Sequence, residues 1–76
     1  MITIYSTPSC VYCEKAKSYF KAKGLEYQEI DVVQDEVARE DMIKKSGQMG
    51  VPVIDIDGQI LIGFNQRKIE EALGSN

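Results

Sequence analysis

Short extended apolar runs alternate along this chain with segments of helical period. Ile2-Thr3-Ile4-Tyr5 is rich in β-branched residues and predicts a buried strand, which Thr7-Pro8-Ser9 breaks. From Val11 the period becomes helical. Tyr12, Ala16, Tyr19 and Phe20 fall on one face, Glu14, Lys15, Lys17 and Lys21 lie around the rest, and Gly24 is a C-terminal stop. Residues 26–31 alternate as a strand, with Tyr27 in phase with Glu29 but Ile30 out of phase. A second helix is expected from Gln34 or Asp35 to about Ser46, with Val37, Ala38, Met42 and Ile43 as its apolar side and Gly47 as its end. Residues 51–56 predict a strand entered through Pro52. Asp57-Gly58 is a two-residue hairpin signal, and residues 59–62 form the returning strand. A last helix starts near Asn65. Phe64 and Ile69 flank that N-cap as a hydrophobic staple, and Ile69, Ala72 and Leu73 make the buried stripe. Gly74-Ser75-Asn76 is expected to fray.

The predicted order is β-α-β-α-β-β-α, an α/β chain. The first two strands form a parallel βαβ unit whose crossover should be right-handed. The last two form an antiparallel hairpin. A four-stranded mixed sheet with helices on both faces follows. Residues 1–76 are enough for one domain. A chain this short buries only about 60% of its unfolded surface, so its core must be efficient. The net charge of −3, with no basic cluster, argues against nucleic acid or an acidic membrane as partner. No apolar run approaches the roughly 20 residues that span a bilayer. The first five residues lack the basic and apolar regions of a signal peptide, so a cytoplasmic location is expected.

The candidate chemistry lies in Cys10-Val11-Tyr12-Cys13, which holds the only two cysteines of the chain. The spacing brings both sulfurs to one turn, within bonding reach. A dithiol of this spacing at a strand-to-helix junction is a thioredoxin-like redox signature. The junction sets Cys10 at a helix N-terminus, where unpaired N–H groups and the helix dipole favour a thiolate. A free thiol pKa of about 8.5 can fall to roughly 3.5–7.5 in such settings. Only the thiolate attacks disulfides. The chain has no His to serve as base, so activation must come from helix geometry, N–H donors and nearby cations. Two Cys and no His are too few for a structural zinc site, which takes four N or S ligands. No metal ligands are assigned.

Residues 5–13, Tyr5-Ser6-Thr7-Pro8-Ser9-Cys10-Val11-Tyr12-Cys13, resemble the active-site loop of the small dithiol glutaredoxins, with Val11 in place of the usual proline. Val51-Pro52 resembles the family's Thr-Val-Pro, and Gly63-Phe64-Asn65-Gln66 falls where many members carry a Gly-Gly-x-Asp-Asp-like segment. The resemblance spans nearly the whole chain and implies the minimal thioredoxin fold. It implies that Cys10 attacks and Cys13 resolves, and that the proline of Val51-Pro52 is cis, with the Val51 backbone open to an extended substrate. Tyr12 would flank the glutathione groove, though packing on its own helix face is an equal reading. Asn65 and Gln66, opening the last helix, would hold the γ-glutamyl carboxylate, or simply cap the helix. Thr7 sits where many glutaredoxins carry Lys, and Lys44 and Gln48 are the candidates to replace that contact. Asp55, Asp57 and the patch Asp35, Glu36, Glu40 and Asp41 read as ordinary surface charge.

The resemblance implies an enzyme that reduces protein disulfides or glutathione mixed disulfides, as a monomer with no tightly bound cofactor and glutathione as co-substrate. The Cys-Val-x-Cys loop and the Gly-Phe pair are also similar to redoxins that serve ribonucleotide reductase, which implies thioredoxin reductase as an alternative electron source. A non-catalytic binding module or iron–sulfur carrier is the reading from another class.

Overall fold

A computed structural model describes residues 1–74; the tail positions Ser75 and Asn76 lie outside them. The elements are β1 (Ile2–Ser6), α1 (Val11–Ala22), β2 (Gln28–Asp31), α2 (Glu36–Ser46), β3 (Val53–Ile56), β4 (Gln59–Ile62) and α3 (Gln66–Ala72). The sheet order is β2-β1-β3-β4, with β1 parallel to β2 and both other pairs antiparallel. This is the expected order and the expected mixed sheet.

Period-2 alternation sends β1 and β3 side chains to two different cores. Ile2, Ile4, Ile54 and Ile56 pack with Ala16 and Phe20 of α1 and Ile69 of α3. Tyr5 and Val53 point the other way and pack with Val32 and with Met42 of α2. The sheet is therefore covered on both faces. That resolves the phase conflict over residues 26–31: Tyr27, just before β2, packs toward α1 and Ile30 of β2 toward α2, so both are legitimately apolar. Asp57 (φ 50°) and Gly58 (φ 92°) both take positive φ in the β3–β4 hairpin, the backbone a two-residue type I′ turn needs. The Asp55 carboxylate accepts from the Gly58 N–H at 2.8 Å and fixes the turn.

Four expectations need correction. β2 begins at Gln28, not residue 26, because the parallel ladder opens at Thr3 against Gln28; Leu25 and Tyr27 instead pack beneath Phe20 as a connection. β3 begins only after Pro52. The buried stripe of α1 is Cys13, Ala16 and Phe20, and Tyr12, about 40° beyond Ala16 at the edge of that stripe and in the first turn, is 57% exposed. Val37 is likewise exposed, because α2 buries Met42 with Ala38 and Ile43, and Val37 is rotated off that stripe.

Phe20 is fully buried, with the Tyr19 ring edge-on at 5.8 Å and the Tyr27 ring at 6.0 Å. Phe20→Ala is expected to cost about 3–5 kcal/mol, a large share of the roughly 5–15 kcal/mol that holds a domain together. Urea unfolding checks it; a midpoint unchanged from wild type would contradict this core.

Candidate active site

Register gathers the site at one end of the sheet. Ser6 closes β1 and pairs with Asp31, the last residue of β2. Tyr5 pairs with Val53, the first residue of β3, and Val53 pairs with Ile62, the last of β4. The segments 7–10, 47–52 and 63–65 therefore all leave or enter the sheet at this end. They carry Thr7, Cys10, Gln48, Val51, Pro52 and Asn65, and α1 and α3 begin there with Tyr12, Cys13 and Gln66.

Cys10 is the N-cap of α1, with extended backbone (φ −91°, ψ 110°). Its sulfur accepts the Cys13 backbone N–H at 3.0 Å, one of the orphan donors of the first turn. Cys10 and Cys13 are joined as a disulfide, with Cα atoms 5.2 Å apart. Cys10 is half-buried, whereas Cys13 is 1% exposed. An incoming disulfide can therefore reach the first sulfur and not the second.

Around this pair the chain supplies mostly uncharged groups. Thr7 is half-buried, and its carbonyl accepts the Cys10 N–H at 3.3 Å, closing the loop. Tyr12 stands exposed, with the Lys15 ammonium 5.0 Å from its ring centroid. The Val51-Pro52 bond is cis; Pro52 is buried, Val51 half-buried, and the Pro52 carbonyl accepts the Gly63 N–H at 2.8 Å. Gln48 is half-buried, its N–H bonded to the Ser46 hydroxyl and its side-chain amide donating to the Gly50 carbonyl at 3.5 Å. The Asn65 side-chain oxygen accepts the Lys68 N–H at 3.1 Å, so it caps α3. The Gln66 amide reaches Glu70 at 3.4 Å. Lys44 is exposed.

Two charge clusters escaped the sequence reading. Lys17 donates to Glu14 at 2.7 Å and to Glu29 at 2.9 Å, and Glu29 also accepts from the buried Ser6 hydroxyl at 2.9 Å. Lys45 contacts Asp41 at 3.1 Å, Asp55 at 3.3 Å and the Tyr5 hydroxyl at 3.2 Å. Asp41 and Asp55 are thus not ordinary surface charge, and Asp35 is the N-cap of α2, accepting from Ala38. Only the i,i+3 spacing of Glu14 and Lys17 and the i,i+4 spacing of Asp41 and Lys45 hinted at these pairs.

Lys17 holds the Glu29 carboxyl below its ordinary 4.5, with the Ser6 hydroxyl helping and burial opposing. Glu14 first, then Glu29, hold the Lys17 ammonium above its ordinary 10.5. A lowered carboxyl stabilises the fold fully above its unfolded pKa and loses that contribution as pH falls through its folded value; a raised ammonium does so fully below its own unfolded pKa. The contribution of this pair is therefore flat between 4.5 and 10.5 and erodes on either side. Glu29→Gln should lower stability at neutral pH and soften its decline below pH 4.5, which urea midpoints against pH would show.

A family model described as Glutaredoxin matches residues 2–61. The chain is 47% identical over 73 residues to an uncharacterised glutaredoxin-like 8.6 kDa protein in the rubredoxin operon of Clostridium pasteurianum, covering 96% of this chain and 97% of that one. It is 37% identical to glutaredoxin 3 of Escherichia coli, covering 96% and 88%. Among solved structures, the glutaredoxin-like NrdH-redoxin of Escherichia coli, a protein with a thioredoxin-like activity profile, superposes with a TM-score of 0.83 at 27% identity, covering 92% of this chain and 91% of that one. With its fold, its cysteine pair and these relatives in agreement, the chain belongs to the glutaredoxin family, whose general chemistry is thiol–disulfide exchange.

Proposed function

We propose that this protein is a glutaredoxin-type reductase of protein disulfides and glutathione mixed disulfides. The observation that carries the reading is the asymmetry of the pair: Cys10 is accessible and receives an N–H at the helix start, while Cys13 is sealed behind it. In the reduced form the Cys10 thiolate attacks one substrate sulfur. A mixed disulfide forms, and the other substrate sulfur leaves as a thiolate and takes a proton. The Cys13 thiol then gives up its proton and attacks the Cys10 sulfur. The second substrate thiolate leaves, and the Cys10–Cys13 disulfide holds the oxidised state. The two electrons delivered come from the dithiol. Two glutathione thiols restore it, becoming one glutathione disulfide. Recognition of glutathione falls to Thr7, Tyr12, Gln48, the Val51 backbone beside Pro52, Asn65 and Gln66. Such a cycle suits a reducing compartment such as the cytoplasm.

A second reading has a specific motive. Thr7, Asn65 and Gln66 are uncharged where glutathione carboxylates and amine would seek charge, while Val11, Tyr12 and Met49 present exposed apolar surface in segments at the site's end of the sheet. That surface suits recharging by a thioredoxin reductase, with ribonucleotide reductase as a consumer of the electrons. Hydroxyethyl disulfide and insulin reduction should be followed with glutathione plus glutathione reductase, and separately with thioredoxin reductase, each with NADPH. Turnover with glutathione is the expected result. Turnover only with thioredoxin reductase would select the second reading, and none with either would end the enzymatic one in favour of a binding or cluster-carrying module.

A further inference from the structure

The first turn of α1 contains a carboxylate, Glu14, one turn from the sulfur at its N-cap; the Glu14 N–H bonds back to the Cys10 carbonyl at 3.3 Å. Residues four apart on a helix are neighbours, and like charges there repel. A carboxylate at this position opposes a Cys10 thiolate. The same carboxylate is held by Lys17 at 2.7 Å, and Lys17 in turn is held toward the sheet by Glu29 at 2.9 Å. The Lys17 side chain is only 16% exposed, so its charge is poorly screened by water. The cluster borders a cleft whose lining includes Thr7 and Pro8 of the cysteine loop. Ser6, which anchors Glu29, precedes that loop, and Glu14 follows it. The network therefore spans both ends of the loop that carries Cys10.

We propose that Lys17 is a positioning residue for thiolate chemistry: by holding Glu14 and Glu29 it offsets negative charge at the two ends of the loop that carries Cys10. The proposal rests on Cys10 being the attacking thiolate. The charges that bear on the cluster are Glu14, Lys17 and Lys21 from α1 and Glu29 and Asp31 from β2; β1 contributes the uncharged Ser6. With Lys17 present, Glu14 and Glu29 leave a local charge of about −1; without it, about −2.

The test reads the thiolate directly. In a Cys13→Ser background, which leaves one thiol, the rate of Cys10 alkylation by iodoacetamide is followed against pH at low salt. Lys17→Met is expected to raise the midpoint by about 0.5–1 pH unit, which slows alkylation about 3–10-fold below the midpoint. Lys17→Arg should restore it. Glu14→Gln should move it down, and by more than Glu29→Gln, because Glu14 stands one turn from Cys10 while Glu29 lies on β2. Should Lys17→Met fail to fold, the Glu14→Gln and Glu29→Gln curves carry the test. Coincident midpoints in all the folded variants would overturn the proposal. Since alkylation needs no disulfide substrate, this failure is distinct from failure of the proposed reductase activity.

Discussion

Cys10→Ser is expected to abolish reduction of every disulfide, protein or glutathione-mixed, with either reductant. A hydroxyl at the same N-cap still accepts the Cys13 N–H, so the helix keeps its cap and the fold should survive. What vanishes is the only sulfur an incoming disulfide can reach, because Cys13 is 1% exposed. Serine cannot replace it, since an alcohol is not appreciably ionised near neutral pH and does not exchange with disulfides. Activity of the variant at the buffer rate, with an unfolding midpoint matching that of the reduced wild type, is the expected outcome. Residual turnover well above that rate would place the nucleophile elsewhere. In wild type, half-maximal alkylation of Cys10 should lie below the free-thiol value of about 8.5, as the helix-start donors require.

The sequence made the element order and the two sulfurs legible because each has a strong local signal. Asp57-Gly58 marks a hairpin by its backbone needs alone, and Asn65 marks a helix start by its capping chemistry. The CxxC spacing needs no tertiary knowledge to bring two sulfurs together. What was not legible depended on partners distant in sequence. Glu29 becomes an anchor only because the parallel register sets it opposite Ile4, on the side of the sheet that α1 covers, where Lys17 and Ser6 meet it. Lys45 looks like any solvated lysine until the fold brings Tyr5 and Asp55 beside it. Tyr12 and Val37 were misplaced for a simpler reason. In short helices an apolar residue one position off the stripe is as hydrophobic as one on it, and only the packing partner decides.

Cys13→Ser should divide the activities rather than remove them. Removing glutathione from a mixed disulfide needs one thiolate: Cys10 takes the glutathionyl group, and a second glutathione releases it. The Cys13 backbone N–H that meets the Cys10 sulfur at 3.0 Å belongs to the main chain and remains in the variant, as does the start of α1. The Cys10 thiolate should therefore stay activated, and glutathione-mixed disulfides should still turn over. Reduction of a protein disulfide is different. After the first attack the substrate stays bonded to Cys10, and its release depends on a second sulfur within reach. Cys13, buried one turn along the helix and already in bonding position, is that sulfur. With serine there, insulin reduction should fall to background while a substrate–Cys10 adduct accumulates, visible as a mass increase by intact-protein mass spectrometry. Equal losses on both substrate classes, with no trapped adduct, would contradict this division and assign Cys13 a role in activating Cys10 instead.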